Sequence, residues 1–236
     1  MSTSSLIMNV IIVSLAGAML CLDRVVAQLA ISRPVVAAPL IGWWLGDPYT
    51  GLVAGAFVEL FWIDRLPLGT YIPPNETVVA ILLTASVILS AGLIGTHPPG
   101  LLALAFLLFV PLGIAAQRLE CRLCRKNEEV FREVQADADR GDTWAITRKH
   151  HQAILRYYLA AAGLIVVFLP IGIALLSWGY PRLPGFMSRG LEILYGVLPL
   201  IGCAVALQTI SVRGALPVFC GIFLAVTVMI ALMRGM

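Results

Sequence analysis

The residues able to do chemistry crowd into one stretch of this sequence, between positions 23 and 76. Asp23, Arg24, Arg33, Asp47, Glu59, Asp64, Arg65 and Glu76 stand there among apolar runs. An ionisable group at membrane depth costs roughly 2.5–3.5 kcal/mol on insertion scales, so an acid in such a setting is a functional candidate by default. Glu59 is the sharpest case. The thirteen residues on either side of it hold one other acid each, Asp47 and Asp64. Its carboxylate can accept hydrogen bonds from a solute in a polar pocket, or it can pair with Arg33 or Arg65 and hold the stretch together. Asn75 and Glu76 follow Pro73-Pro74 and open an apolar run. They read as a helix entry, and the same helix start can line a solute cavity.

Other chemistry finds little support. Cys121-x-x-Cys124 has no second pair, and His150-His151 follow 26 residues later. A zinc site wants four ligands at tighter spacing. There is no Gly-rich phosphate loop, no Gly-x-Ser-x-Gly and no His-Glu-x-x-His. No metal, no cofactor and no catalytic residue is expected, and nothing in the chain can hydrolyse ATP.

The elements that must position these residues follow from composition. Of 236 residues, 60% are apolar and 12% charged, where a soluble domain carries roughly 25% charged residues. Mean hydropathy is +0.94. That balance excludes a disordered chain, a coiled coil and almost any soluble enzyme, and leaves an integral membrane protein in a lipid bilayer. Nine of 16 Lys and Arg residues and seven of 13 Asp and Glu residues lie between Arg118 and Arg156. The two signs nearly cancel there, so no basic stripe exists and no nucleic-acid partner is expected. The first cation is Arg24. A cleaved signal peptide would begin with positive charge, so the first apolar run reads as a retained helix. The five cysteines suggest no disulfide framework.

Six uncharged runs qualify as spans or near-spans, at 6–22, 77–95, 100–117, 157–181, 193–212 and 214–233, because a crossing helix needs about 20 apolar residues. The region 34–63 behaves differently. It is broken at Gly46-Asp47-Pro48 into pieces of 13 and 11 apolar residues, and a 13-residue helix covers only about 20 Å. A re-entrant hairpin is expected, of the kind that marks a transport site. Residues 185–214 read as ordinary spans or as a second broken region. The glycines at 42, 46, 51 and 55 allow close helix packing. Residues 118–156 are expected to be a cytoplasmic charged loop, helical in part through Val130, Val134 and Ala138, with a turn at Asp139–Asp142. The expected fold is all-α: a polytopic inner-membrane protein with six or more spans and at least one re-entrant helical hairpin. It divides into an N-terminal membrane half (1–117), the loop (118–156) and a C-terminal membrane half (157–236). By the charge rule the 96–99 connection faces outward.

These residues carry a family likeness. Ser32-Arg33-Pro34, Leu40-Ile41-Gly42-x-x-Leu45-Gly46-Asp47-x-x-Thr50-Gly51, Gly55-Ala56-x-x-Glu59-Leu60 and Leu68-Gly69-x-x-x-Pro73-Pro74-Asn75-Glu76 resemble the IIC membrane subunit of the mannose–fructose–sorbose phosphotransferase (PTS) family. The resemblance implies a sugar-translocating permease subunit of a bacterial inner-membrane complex. It implies a hexose or amino-hexose substrate, a IID membrane partner, an oligomer, and soluble IIA and IIB components. IIB carries the phosphoryl transfer, so the IIC chain is itself non-catalytic. Carried onto this sequence, the substrate-binding positions are Glu59, Asn75, Asp47, Glu76 and Asp23. The chain departs from the family at Trp62-Ile63-Asp64-Arg65, beside the expected site. That departure keeps two other readings in view: a divergent regulatory or scaffold member that does not transport, and a phosphate-independent small-solute transporter.

Overall fold

The computed structural model describes residues 3–65, 69, 71–209, 217–218, 220–222 and 224–225. Seven α-helices make up the described chain: α1 (Thr3–Leu22), α2 (Pro34–Trp44), α3 (Pro48–Phe61), α4 (Glu76–Ile94), α5 (Pro99–Asp139), α6 (Thr143–Gly179) and α7 (Gly185–Thr209). No strand occurs among the described residues. Five of the helices (α1, α4, α5, α6 and α7) are long and apolar enough to cross a membrane. The expected span at 214–233 lies largely outside the described residues.

The centre of the molecule is α4. Its residues from Thr77 to Ala91 are all buried, with α1, α2, α3, α5 and α6 packed around it. Two local signals set its ends. The Asn75 side chain accepts from the Val78 N–H at 2.9 Å, and Gly95 closes the helix at φ 82°. Small residues let neighbours approach: a Cβ on Gly17 of α1 would stand 3.0 Å from Ile165 of α6.

Helices α2 and α3 form a tight hairpin. Gly46 turns the chain at φ 89°, and Asp47 caps α3 by accepting from the Thr50 N–H at 3.0 Å. Pro34 and Pro48 each sit at the first turn of a helix, where a missing N–H costs nothing. The two backbones touch. A Cβ on Gly51 would lie 2.5 Å from the Ala38 carbonyl oxygen, and one on Gly55 would overlap the Pro34 carbonyl oxygen. Backbone cannot swing aside, so these two positions demand glycine.

The charged segment 118–156, expected as a loop helical in part with a turn at 139–142, is helix on both sides of that turn. Transmembrane α5 and α6 run on without a break and leave only residues 140–142 between them, with Gly141 at φ 70°. The run of alternating charges hid this continuity, because one face of each helix is solvated and the other is pinned across the pair. Lys149 of α6 donates to Asp137 of α5 at 2.7 Å and stands 3.2 Å from Glu133. At 41 residues, α5 is about 60 Å long, twice the hydrocarbon thickness. Residues 185–209 are a single helix with Pro199 inside, so no break occurs there.

Candidate functional site

The turn from Asp23 to Arg33 joins α1 to the hairpin, and a single carboxylate organises it. Asp23 accepts from the Leu29 N–H at 2.7 Å, and from the Ser32 N–H and hydroxyl at 3.0 Å each. Burial alone would push the Asp23 carboxyl upward. The donors of Ser32 and Leu29 outweigh it and hold the group below the usual carboxylate range. The turn is also tied to α4, since the Thr77 hydroxyl donates to the Ser32 carbonyl at 2.6 Å. Within it Gln28 and Ala30 take φ values of 55° and 63°. Non-glycine residues seldom adopt that region, and they persist there only where the surroundings over-determine them.

Below this turn lies a cavity of about 470 Å³, lined by Asp23, Arg24, Gln28, Ala30, Ser32, Arg33, Trp62, Arg65, Pro73 and Glu76. That volume falls within the usual range for small-molecule sites. Its walls combine carboxylate, guanidinium and amide groups with one indole. Trp62 is 7% exposed and wedges against α5, where a Cβ on Gly113 would meet its ring at 2.6 Å.

Glu59 makes the ion pair with Arg33 that was one of its two expected roles. Its Oε1 accepts from Arg33 Nη1 at 2.9 Å, and its Oε2 from the Val35 N–H at 3.4 Å. The last turn of α3 thus caps the first turn of α2. Glu59 meets the cavity through its partner Arg33, which lines the wall.

Asn75, next to the cavity residue Glu76, is itself buried at 3% exposure. Its carbonyl oxygen caps α4, and its Nδ2 donates to Glu120 Oε1 at 2.7 Å. Glu120 also accepts from the Tyr157 hydroxyl at 2.5 Å. Arg24 stands between two acids, 4.0 Å from Glu76 and 3.9 Å from Glu120.

The structure therefore gathers four of the five expected residues, Asp23, Glu59, Asn75 and Glu76, around one end of the hairpin. Asp47 is elsewhere. Twelve residues from Glu59 along α3, it is about 18 Å away. There it lines a separate cavity of about 360 Å³ with Tyr49, Thr50, His97 and Tyr195. Both its carboxylate oxygens already serve Thr50, at 3.0 and 2.5 Å. Three members of the network escaped the sequence reading: Arg24 as a site residue, Glu120 and Tyr157. Glu120 follows the uncharged run by three residues. Continuing the helix one more turn past Gln117 would have placed it at the membrane boundary.

Comparisons with known proteins agree with one another. A family model described as the PTS system sorbose-specific IIC component matches residues 7–235. The mannose-specific EIIC component of Escherichia coli K12 is 24% identical over 219 residues, which is 92% of this chain and 78% of that protein. The sorbose-specific EIIC component of Klebsiella pneumoniae is 28% identical over 196 residues, covering 82% of this chain and 70% of the relative. Among solved structures, the mannose transporter ManYZ in complex with microcin E492 matches at a TM-score of 0.62 and 20% identity. It covers 100% of this chain and 96% of the matched one. That likeness shows a shared fold.

Proposed function

The chain belongs to the family of PTS sorbose-specific IIC components, and from that membership we infer that it is the sugar-translocating IIC subunit of a mannose-type phosphotransferase system. It is a multi-pass protein of the bacterial inner membrane. The observation that carries a sugar site is the polar cavity at the base of the α2–α3 hairpin, set in an otherwise nearly charge-free membrane body. Carboxylate, amide and guanidinium groups suit paired hydroxyls, and the Trp62 indole suits the apolar face of a sugar ring.

The hairpin is re-entrant in this reading. With 11 and 14 residues, α2 and α3 are about 17 and 21 Å long and too short to cross. The Arg33–Glu59 pair brings the start of α2 level with the end of α3, which supports entry and exit on one face. That face is continuous with the charged extensions of α5 and α6, so it is the cytoplasmic one. The 20 uncharged residues at 214–233 are long enough for a sixth. The membrane halves 1–117 and 157–236 flank the extension at 118–156.

Asp23, Glu59, Asn75 and Glu76 build the sugar cavity, directly or through Arg33 and Glu120. Asp47 lines the opposite cavity, which opens toward His97 on the outer side. The sugar is a hexose or amino-hexose. A IID subunit completes the membrane complex in an oligomer, and soluble IIA and IIB components supply phosphate, so this chain carries out no chemistry of its own.

The test is calorimetry on the chain purified with its IID partner, against a panel of hexoses and amino-hexoses. Saturable binding that is lost in Glu59→Gln supports the reading. A folded complex that binds no sugar overturns it.

A further inference from the structure

Arg24 is the uncommitted cation of the cavity. Arg33 donates to Glu59 at 2.9 Å, and Arg65 sits 3.3 Å from Asp64. The Arg24 guanidinium stands 4.0 and 3.9 Å from Glu76 and Glu120. Those separations keep the charges paired but exceed hydrogen-bond reach. Among the described residues its side chain makes no hydrogen bond, so its forked donors remain available to a ligand. Its position is not left to chance. Glu120 is 7% exposed and is held by Asn75 at 2.7 Å and Tyr157 at 2.5 Å. On the other side, the turn that carries Arg24 is clamped by Asp23 and contains the two strained residues Gln28 and Ala30.

The charges around the cavity decide what this cation can read. Arg33–Glu59 and Arg65–Asp64 are neutral as pairs. What remains is Arg24 against Glu76, Glu120 and Asp23, which leaves an excess of negative charge. A sugar acid would add to that excess and be repelled. An uncharged sugar brings hydroxyl and acyl oxygens that accept from the guanidinium without adding charge.

We propose that Arg24 is the specificity-determining group that reads the sugar's oxygens, that Glu120 is the residue that positions it, and that the surplus of acids around Arg24 keeps anionic sugars out of the cavity. The proposal rests on the permease reading and deepens it.

The experiment measures affinity on the purified IIC–IID complex for mannose, galactose and glucose, each beside its uronic acid. Wild type binds at least one hexose, with its uronate at least about tenfold weaker. Arg24→Gln weakens hexose binding at least about tenfold, the loss of one charge-assisted hydrogen bond. Glu120→Gln removes one negative charge beside Arg24 and narrows the hexose-to-uronate ratio. A merely structural Glu120 would weaken both ligands alike. Tyr157→Phe, which alters the network without altering charge, leaves the ratio where it is. Should Glu120→Gln fail to fold, Glu76→Gln removes a charge from the other side of Arg24 and is read in the same way. Unchanged hexose affinity in Arg24→Gln, or an unmoved ratio in the charge variants, overturns the proposal while the permease reading stands. A folded wild type that binds no sugar overturns both.

Discussion

Glu59 and Arg33, 26 residues apart in sequence, meet at 2.9 Å and close the base of the α2–α3 hairpin. The same carboxylate accepts from the Val35 N–H, so one acid pairs a charge and caps a helix at once. The pair is partly open to solvent, with the Arg33 side chain 45% exposed, and its strength is discounted accordingly. A double-mutant cycle of Glu59→Gln with Arg33→Gln, followed by thermal unfolding in detergent, should return a coupling of about 0.5–1.5 kcal/mol. A coupling near zero would mean that the contact is incidental to the hairpin.

The hairpin's close approach gives a second prediction. Gly51→Ala and Gly55→Ala place a methyl group against the carbonyls of Ala38 and Pro34. Overpacking of this kind costs about 1–3 kcal/mol or more. Both variants should melt earlier and elute more heterogeneously in detergent. Gly92→Ala, which meets nothing within 4 Å, is the control and should behave as wild type.

Gly113 offers a way to reach the cavity from behind. A Cβ there would stand 2.6 Å from the Trp62 ring, and that ring lines the cavity. Gly113→Ala should lower sugar affinity by about tenfold, or 1.4 kcal/mol, with a smaller loss of stability. Titration of a hexose while Trp fluorescence is followed would detect it. Full affinity in this variant would argue that Trp62 does not touch the sugar.

Asp23 predicts a pH dependence. Its carboxyl is held below the usual range in the folded protein, against about 3.9 in the unfolded chain. The stability it contributes is therefore fully present above pH 4 and is lost as pH falls through the lower, folded value. Wild type should lose melting temperature on acidification through this window. Asp23→Asn should start lower and show less of that decline. Parallel curves for the two proteins would remove Asp23 from the account.

Much of this was legible in the sequence. Uncharged runs located the helices because lipid tolerates little else. The break at Gly46-Asp47-Pro48 located the hairpin tip because a left-handed glycine and a proline after an aspartate cap admit few alternatives. The isolation of Glu59 marked it, and Arg33 was among its expected partners. What stayed hidden depends on contacts across the chain. Tyr157 and Glu120 meet over 37 residues, and nothing in either local sequence announces the other. Residue type could nominate Asp47 as readily as Asp23, but only the length of α3 separates them. Gln28 and Ala30 carry no sign of a left-handed backbone, since glycine is its usual marker. The helical extensions of α5 and α6 were legible in part, through Val130, Val134 and Ala138 and the turn at 139–142, but the charge run hid that both transmembrane helices continue into them unbroken until Lys149 is seen bridging to Asp137.

The uninterrupted helix from Pro99 to Asp139 makes a lever of the membrane body. Pro111 lies within its first third, at a point where helices bend. The 28 residues beyond it span about 42 Å, so a tilt of about 5° at the proline sweeps the far tip through about 4 Å. A dye or spin label near Gly141 would magnify rearrangements that are too small to follow around the sugar itself. The water-exposed end of the protein is thus a pointer whose dial can be read without entering the bilayer.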